Sequence, residues 1–303
     1  MENLTELLTR DEKAVFTLRA LYNKYGYSQY KMSKFEEYDL YVKNKDFLPS
    51  ENIITFTDTD GRLLALKPDV TLSIIKNSRI TSGLIKAQYN ENIYRISKGT
   101  NSFKEFMQVG LECLGDVGNS ELIEVILLAK ESLDLISESN VLEISHLDIT
   151  YGILEYAGVS DDGKRKILDC LGKKNAFGIE QICSSESIGK EKTELVKKLA
   201  TVYGAPNTVL PVLDVFRVTP ETNNAVEQLN YIFGVLKENG ISENLCIDFS
   251  LVGDMKYYNG IAMKGFIDGI PTGILSGGQY DKMMVKMKKN ARGVGFAVYL
   301  SEL

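Results

Sequence analysis

The sequence predicts an α+β fold: a largely antiparallel sheet flanked by helices, with a helical segment inserted. Strand runs are joined by hairpins instead of alternating regularly with helices. Apolar residues recur at helical spacing between those runs, and no Gly-rich phosphate loop of the Rossmann or Walker type occurs.

From Asp11 to Tyr25 the residues Val15, Leu18, Leu21, Tyr22 and Tyr25 keep a helical period, and Gly26 supplies the stop. Residues 53–67 form two β-rich runs joined at Thr59-Asp60-Gly61, where Asp and Gly tolerate positive φ, so a hairpin is expected. Pro68 then suits the first turn of a helix running through Leu72, Ile75 and Lys76. Residues 92–97 read as a strand, 98–102 as a polar loop and 103–115 as the antiparallel partner. In that partner Met107, Val109, Leu111 and Cys113 share one face, and Gln108, Gly110 and Glu112 share the other. A helix from Glu121 to Leu135 and a strand from Val141 to Ile149 follow. Residues 158–240 are helix-rich and lysine-rich, and read as a helical insertion subdomain within one 1–303 domain. Further strands are expected at 244–252, 260–269 and 273–278, with Asp268-Gly269 as a turn. A short terminal helix closes the chain, and Gly293-Val294-Gly295 allows it to pack closely.

At 303 residues and 44% apolar composition, the chain can bury a large core, which excludes a disordered protein. A formal net charge of -6 argues against broad, sequence-independent nucleic-acid binding. No run reaches the roughly 20 apolar residues that cross a bilayer. The start, Met1-Glu2-Asn3-Leu4-Thr5, lacks the basic and apolar regions of a secretory signal, so a cytoplasmic location is expected. Cys113, Cys170, Cys183 and Cys246 lack the close spacing of zinc ligands and read as reduced, mostly structural thiols. With His146 as the single histidine, no multi-histidine metal site forms; neither a metal nor a cofactor is expected.

Three places carry chemistry. Gln108 and Glu112 flank side-chain-free Gly110 on one strand face, a floor for a cationic or hydrogen-bonding ligand; the plainer reading is a solvated sheet face. Asp69 and Thr71 stand at a strand-to-helix junction, where a carboxylate and a hydroxyl can accept an α-amino group; the plainer reading is helix capping. Residues 256–260 and 276–281 place Tyr257, Tyr258 and Tyr280 beside small residues, as a pocket wall does; buried core tyrosines are the alternative.

Taken together, these segments resemble the catalytic domain of class II histidyl-tRNA synthetases over most of the chain. "LKPDVT" (66–71) resembles that family's "LRPEGT" amino-group loop, and residues 94–115 are similar to its motif 2, "FR-x-E…R-Q-F-x-Q-x-G-x-E". "LVGDMKYYNG" (251–260) resembles "LVRGLDYY", "GGQYD" (277–281) resembles "GGRYD", and "GVGFAVYLSEL" (293–303) resembles motif 3, "GFAxGLERL". The resemblance implies Asp69 and Thr71 at the α-amino group, Gln108 and Glu112 near the bound amino acid, and Tyr258 and Tyr280 around the imidazole. Arg95 matches the motif 2 arginine on the α-phosphate and carboxylate side. The implied histidine-binding set is therefore Asp69, Thr71, Arg95, Gln108, Glu112, Tyr257, Tyr258 and Tyr280.

The departures point away from synthesis. Ser301-Glu302 stands where the family has Glu-Arg, the arginine that clamps the ATP γ-phosphate, and a carboxylate there repels a triphosphate. The family's histidine-specific arginine falls on Gly253, the motif 2 glutamate on Ser97 and the motif 1 proline on Ser33. Adenylation depends on cations placed where phosphate charge develops. The combination resembles the paralogue that serves as the non-catalytic regulatory subunit of ATP phosphoribosyltransferase, the first step of histidine biosynthesis. That resemblance implies a hetero-oligomer around a homodimer core, which activates the short-form catalytic subunit and conveys feedback by L-histidine. Neither an anticodon-binding domain after motif 3 nor a tRNA partner is expected. The competing classes are a free-standing histidine- or tRNA-binding module and an active synthetase.

Overall fold

The computed structural model describes residues 7–48, 53–80, 83–96, 102–252 and 257–303. The chain divides into two compact units, Met1–Ser139 with Phe266–Leu303, and Asn140–Gly265.

The first unit opens with α1 (Arg10–Lys24), started by a capping box. The Thr9 hydroxyl accepts the Glu12 N–H, and the Glu12 carboxylate accepts the Thr9 N–H at 2.9 Å. It stops at Gly26, whose φ of +83° lets the Tyr27 N–H reach back to the Tyr22 carbonyl. Next come β1 (Ser28–Gln29), β2 (Phe35–Glu37) and α2 (Tyr38–Lys43). The expected hairpin is β3 (Thr55–Thr57) and β4 (Leu63–Leu66), turning at Gly61 with φ +80°, and β2 joins it in a three-stranded sheet ordered β2-β4-β3.

Helix α3 (Thr71–Asn77) begins later than Pro68 implies. The Pro68 carbonyl accepts from Arg95 Nε at 2.5 Å, and Asp69 Oδ1 accepts the Leu72 N–H at 2.8 Å. Residues 68–70 are thus a junction fixed by side chains. Strands β5 (Leu84–Ile96) and β6 (Phe103–Gly115) pair along their whole length. Lys86, Gln88 and Asn90 hide the early start of β5 from a hydrophobic pattern; pairing with β6 imposes it. Helix α4 (Asn119–Ile136) follows.

The second unit runs β7 (Asn140–His146), α5 (Leu147–Ala157), α6 (Asp161–Gly172), α7 (Ala176–Ser185), α8 (Lys190–Thr201), β8 (Tyr203–Gly204), α9 (Pro206–Val209), α10 (Pro220–Glu238), β9 (Leu245–Asp248) and β10 (Asn259–Ile267). Its strands are ordered β10-β7-β9-β8, with β7 parallel to β9. Strand β7 ends at His146 and not Ile149, because Ile149, Ile153 and Leu154 form the buried stripe of α5. His146 is buried with Nε2 2.8 Å from the Gln228 side-chain oxygen, and burial holds its pKa below the usual imidazole value.

The chain completes the first unit with β11 (Ile270–Gln279), α11 (Asp281–Lys286), β12 (Arg292–Tyr299) and a 3-10 turn at Leu300–Glu302. Gly293-Val294-Gly295 therefore lies within a strand, not against a terminal helix. The unit's main sheet is ordered β1-β5-β6-β12-β11, antiparallel except for β1 beside β5. One face buries Val109, Leu111, Cys113 and Phe296. There the Tyr22 ring of α1 meets Phe296 edge-on at 5.9 Å, and its hydroxyl meets Ser132 of α4 at 3.0 Å. The opposite face carries Gln108, Gly110 and Glu112. Among the described residues, no helix is long and apolar enough to cross a membrane.

Candidate functional site

Glu112 stands at the centre of that second face, and it is buried, as is Gln108. A solvated sheet face is thereby excluded. Glu112 Oε1 accepts the Thr71 hydroxyl at 2.6 Å, and Oε2 accepts the Tyr280 hydroxyl. Burial pushes the Glu112 carboxyl up to about 8; the Thr71 and Tyr280 hydrogen bonds oppose the rise, and the charge of Asp69 adds to it. Among the described residues, no cation pairs with this carboxyl.

Room around Glu112 comes from small residues at matched register. Ala87 faces it from β5, Gly295 faces it from β12, and Gly278 of β11 is the next in that row. A Cβ at position 295 would lie 2.0 Å from Glu112 Oε2 and 2.4 Å from the Leu111 carbonyl oxygen. A Cβ at Gly293 would fall 2.2 Å from the Tyr280 ring, so the two glycines make space for the two side chains that meet. Asp281 secures this corner: its carboxylate accepts the Gly293 N–H at 3.0 Å and Arg292 Nε at 3.0 Å. Gly110, expected as an open floor, is instead roofed by the Tyr89 phenol, 2.5 Å from where its Cβ would be.

Asp69 spans two jobs. One oxygen caps α3 through Leu72, and the other lies 3.4 Å from Arg95, whose Nε holds the Pro68 carbonyl. Arg95 thus clamps the junction that presents Asp69 and Thr71. Nearby, Lys67 is fully buried and ion-paired to Glu91, an arrangement that tolerates burial only because the charges compensate. Asp69, Thr71, Arg95, Gln108, Glu112 and Tyr280 all belong to the first unit, and contacts link five of them; Gln108 shares the Glu112 face. Tyr257 and Tyr258 belong to the second unit, where their rings meet at 4.7 Å and Tyr258 packs against Leu147 and Ala262. Chemically, Glu112 with its two hydroxyl partners and the nearby Asp69 carboxylate favour a ligand that brings nitrogen and positive charge.

The sequence profile of histidyl-tRNA synthetase matches residues 2–303. The chain belongs to that family. It is 28% identical to the ATP phosphoribosyltransferase regulatory subunit of Ruminiclostridium cellulolyticum, over 94% of this chain and 70% of that one. It is equally 28% identical to the regulatory subunit of Oceanobacillus iheyensis, over 92% of this chain and 69% of that one. Among solved structures, an ATP phosphoribosyltransferase regulatory subunit/histidyl-tRNA synthetase from Bacillus halodurans shares the fold with TM-score 0.85 at 22% identity, covering 96% of this chain and 77% of that one. The ATP phosphoribosyl transferase (HisG:HisZ) complex from Thermotoga maritima contains a similar chain, TM-score 0.75 at 21% identity, covering 96% of this chain and 97% of that one.

Within this synthetase-like fold the departures have structural counterparts. The Ser301 hydroxyl accepts the Met107 N–H at 2.8 Å, and the exposed Glu302 carboxylate accepts the Thr272 hydroxyl at 3.3 Å. Gly253 and Ser97 lie outside the described residues. Among the described residues, no cluster of three His, Cys, Asp or Glu side chains could hold a metal. The features that sequence reasoning missed are Tyr89 over Gly110, the Lys67–Glu91 pair and the function of Gly293 and Gly295. Only the last left a signal: glycines two apart in a strand open one face.

Proposed function

We propose that this chain is the non-catalytic regulatory subunit of an ATP phosphoribosyltransferase. It binds L-histidine through Asp69, Thr71, Arg95, Gln108, Glu112 and Tyr280 of the first unit. It assembles with a short-form catalytic subunit, activates it and conveys feedback by histidine. The observation that carries this reading is the buried Glu112 carboxyl joined to Thr71 and Tyr280, in a chain whose carboxylate Glu302 stands at the position of the phosphate-clamping arginine. The naming of the relatives as regulatory subunits supports it.

Asp69 receives the ligand's ammonium, and Thr71 and Tyr280 orient Glu112 toward its ring. Feedback requires histidine to bind the inhibited assembly better than the active one, and a tenfold preference corresponds to about 1.4 kcal/mol of coupling. The helix and strand near 11–36 form the homodimer core, and the catalytic subunit docks elsewhere. With the Glu302 carboxylate in place of the phosphate-clamping arginine, histidine-dependent pyrophosphate exchange should stay at background; turnover of roughly 1 per second or faster, ordinary for enzymes, contradicts the non-catalytic assignment. Assembly is tested by size-exclusion chromatography of the chain mixed with a short-form ATP phosphoribosyltransferase. Co-elution at micromolar concentration is expected, and separate elution removes the partner assignment.

A further inference from the structure

We infer that the Glu112 site takes histidine as a proton-sharing pair, with a single proton held between the ligand's imidazole and the Glu112 carboxyl. The inference rests on the histidine reading above and adds the protonation state of the recognised ligand.

The geometry isolates Glu112 from compensating charge. From α3 comes the Thr71 hydroxyl, and from the residue before α11 the Tyr280 hydroxyl. From the junction before α3 comes Asp69, a second acid, whose Arg95 neighbour is engaged with the Pro68 carbonyl. The flanking strands offer only Ala87 and Gly295 opposite the carboxyl. A buried carboxylate with hydroxyl donors and no cation is costly, so the empty site keeps its proton at neutrality, in line with the upward shift produced by burial. Each oxygen already meets one hydroxyl, which leaves the acid proton as the group that can meet an incoming ring nitrogen.

When neutral imidazole enters, the proton moves from the carboxyl oxygen to the ring nitrogen or stays hydrogen-bonded between them; the complex holds one proton either way. Free site and free ligand together also hold one between roughly pH 6.5, the ordinary imidazole pKa, and about 8, where the empty Glu112 titrates. Binding there exchanges no proton with solvent. At lower pH the ligand arrives as imidazolium and one proton must leave, so affinity falls about tenfold per pH unit. At higher pH the site is a carboxylate and one proton must be taken up, so affinity falls at the same limiting slope.

The test is calorimetric titration of the full chain with L-histidine at pH 5.5, 7.2 and 9.0, each in two buffers of different ionisation heat. Equal heats in both buffers at pH 7.2, release approaching one proton at pH 5.5, uptake approaching one at pH 9.0 and roughly tenfold weaker binding at both extremes are expected. In Glu112→Gln the alkaline loss of affinity should shrink to the part set by the ligand's own α-ammonium, and the difference between the two proteins at pH 9.0 isolates the carboxyl from the ligand's titration. Binding with constant affinity and buffer-independent heat at all three values overturns the proton-sharing pair while leaving the histidine reading intact. Absence of binding at every pH overturns the histidine reading itself.

Discussion

Gly295→Ala is expected to destabilise the protein by about 3 kcal/mol or more, at the upper end of overpacking effects. Its Cβ would sit 2.0 Å from Glu112 Oε2 and 2.4 Å from the Leu111 carbonyl oxygen. The side chain could swing away only by abandoning Thr71 and Tyr280, and the carbonyl belongs to the β6–β12 pairing, so neither obstacle moves cheaply. Gly234→Ala is the matched control. It lies in the exposed interior of α10, with no atom within 4 Å of the new Cβ. There alanine should stabilise by about 1 kcal/mol through helix propensity. Urea melts of both variants decide the matter; a Gly295→Ala protein as stable as the parent would mean that the row of small residues does not confine Glu112.

Glu112→Gln is expected to stabilise the unliganded protein, increasingly so as pH rises. The folded-state pKa, about 8, lies above the ordinary carboxylate value of 4.5. Between those values the folded chain holds a proton that the unfolded chain has released. The parent therefore loses stability as pH climbs through this window, at up to about 1.4 kcal/mol per unit. The full effect is present below 4.5 and gone above 8, on the order of 5 kcal/mol in total. Gln carries no such charge, so the two proteins should differ least near pH 5 and most near pH 9. Thermal or denaturant melts at the two pH values provide the comparison. A difference independent of pH would show that Glu112 is not held as a buried acid. A buried acid that lowers the stability of the fold is the pattern expected where a residue serves function at the expense of packing, in keeping with the proposed role of Glu112.

Much of this was legible in the sequence because local chemistry and tertiary structure agree. The α1 period with Gly26 and the Thr59-Asp60-Gly61 hairpin needed only local rules, and the two faces of β6 followed from alternation. The family motifs brought Asp69, Thr71, Glu112 and Tyr280 to one list before any geometry joined them. What the sequence hid was decided by pairing and by neighbours distant in the chain. Strand β5 starts at Leu84 through its ladder with β6, despite the polar Lys86, Gln88 and Asn90. Gly110 looked open because nothing local shows that Tyr89, its cross-strand partner, lies over it. The burial of Glu112 without a cation depends on the registers of three strands and two loops, information that no single segment contains. Pro68 was misleading for a related reason: proline suits a first helical turn, but here its carbonyl and Asp69 are claimed by Arg95 and Leu72.

The regulatory role is tested most directly by turnover. A short-form ATP phosphoribosyltransferase is assayed with ATP and phosphoribosyl pyrophosphate, alone, with this chain, and with this chain at rising histidine. The account predicts a large rise in turnover on adding the chain and progressive inhibition by histidine. Glu112→Ala should weaken that inhibition roughly 10- to 150-fold, the equivalent of one buried charge-assisted hydrogen bond, while leaving activation in place. A catalytic subunit whose turnover is the same with and without this chain would contradict the account.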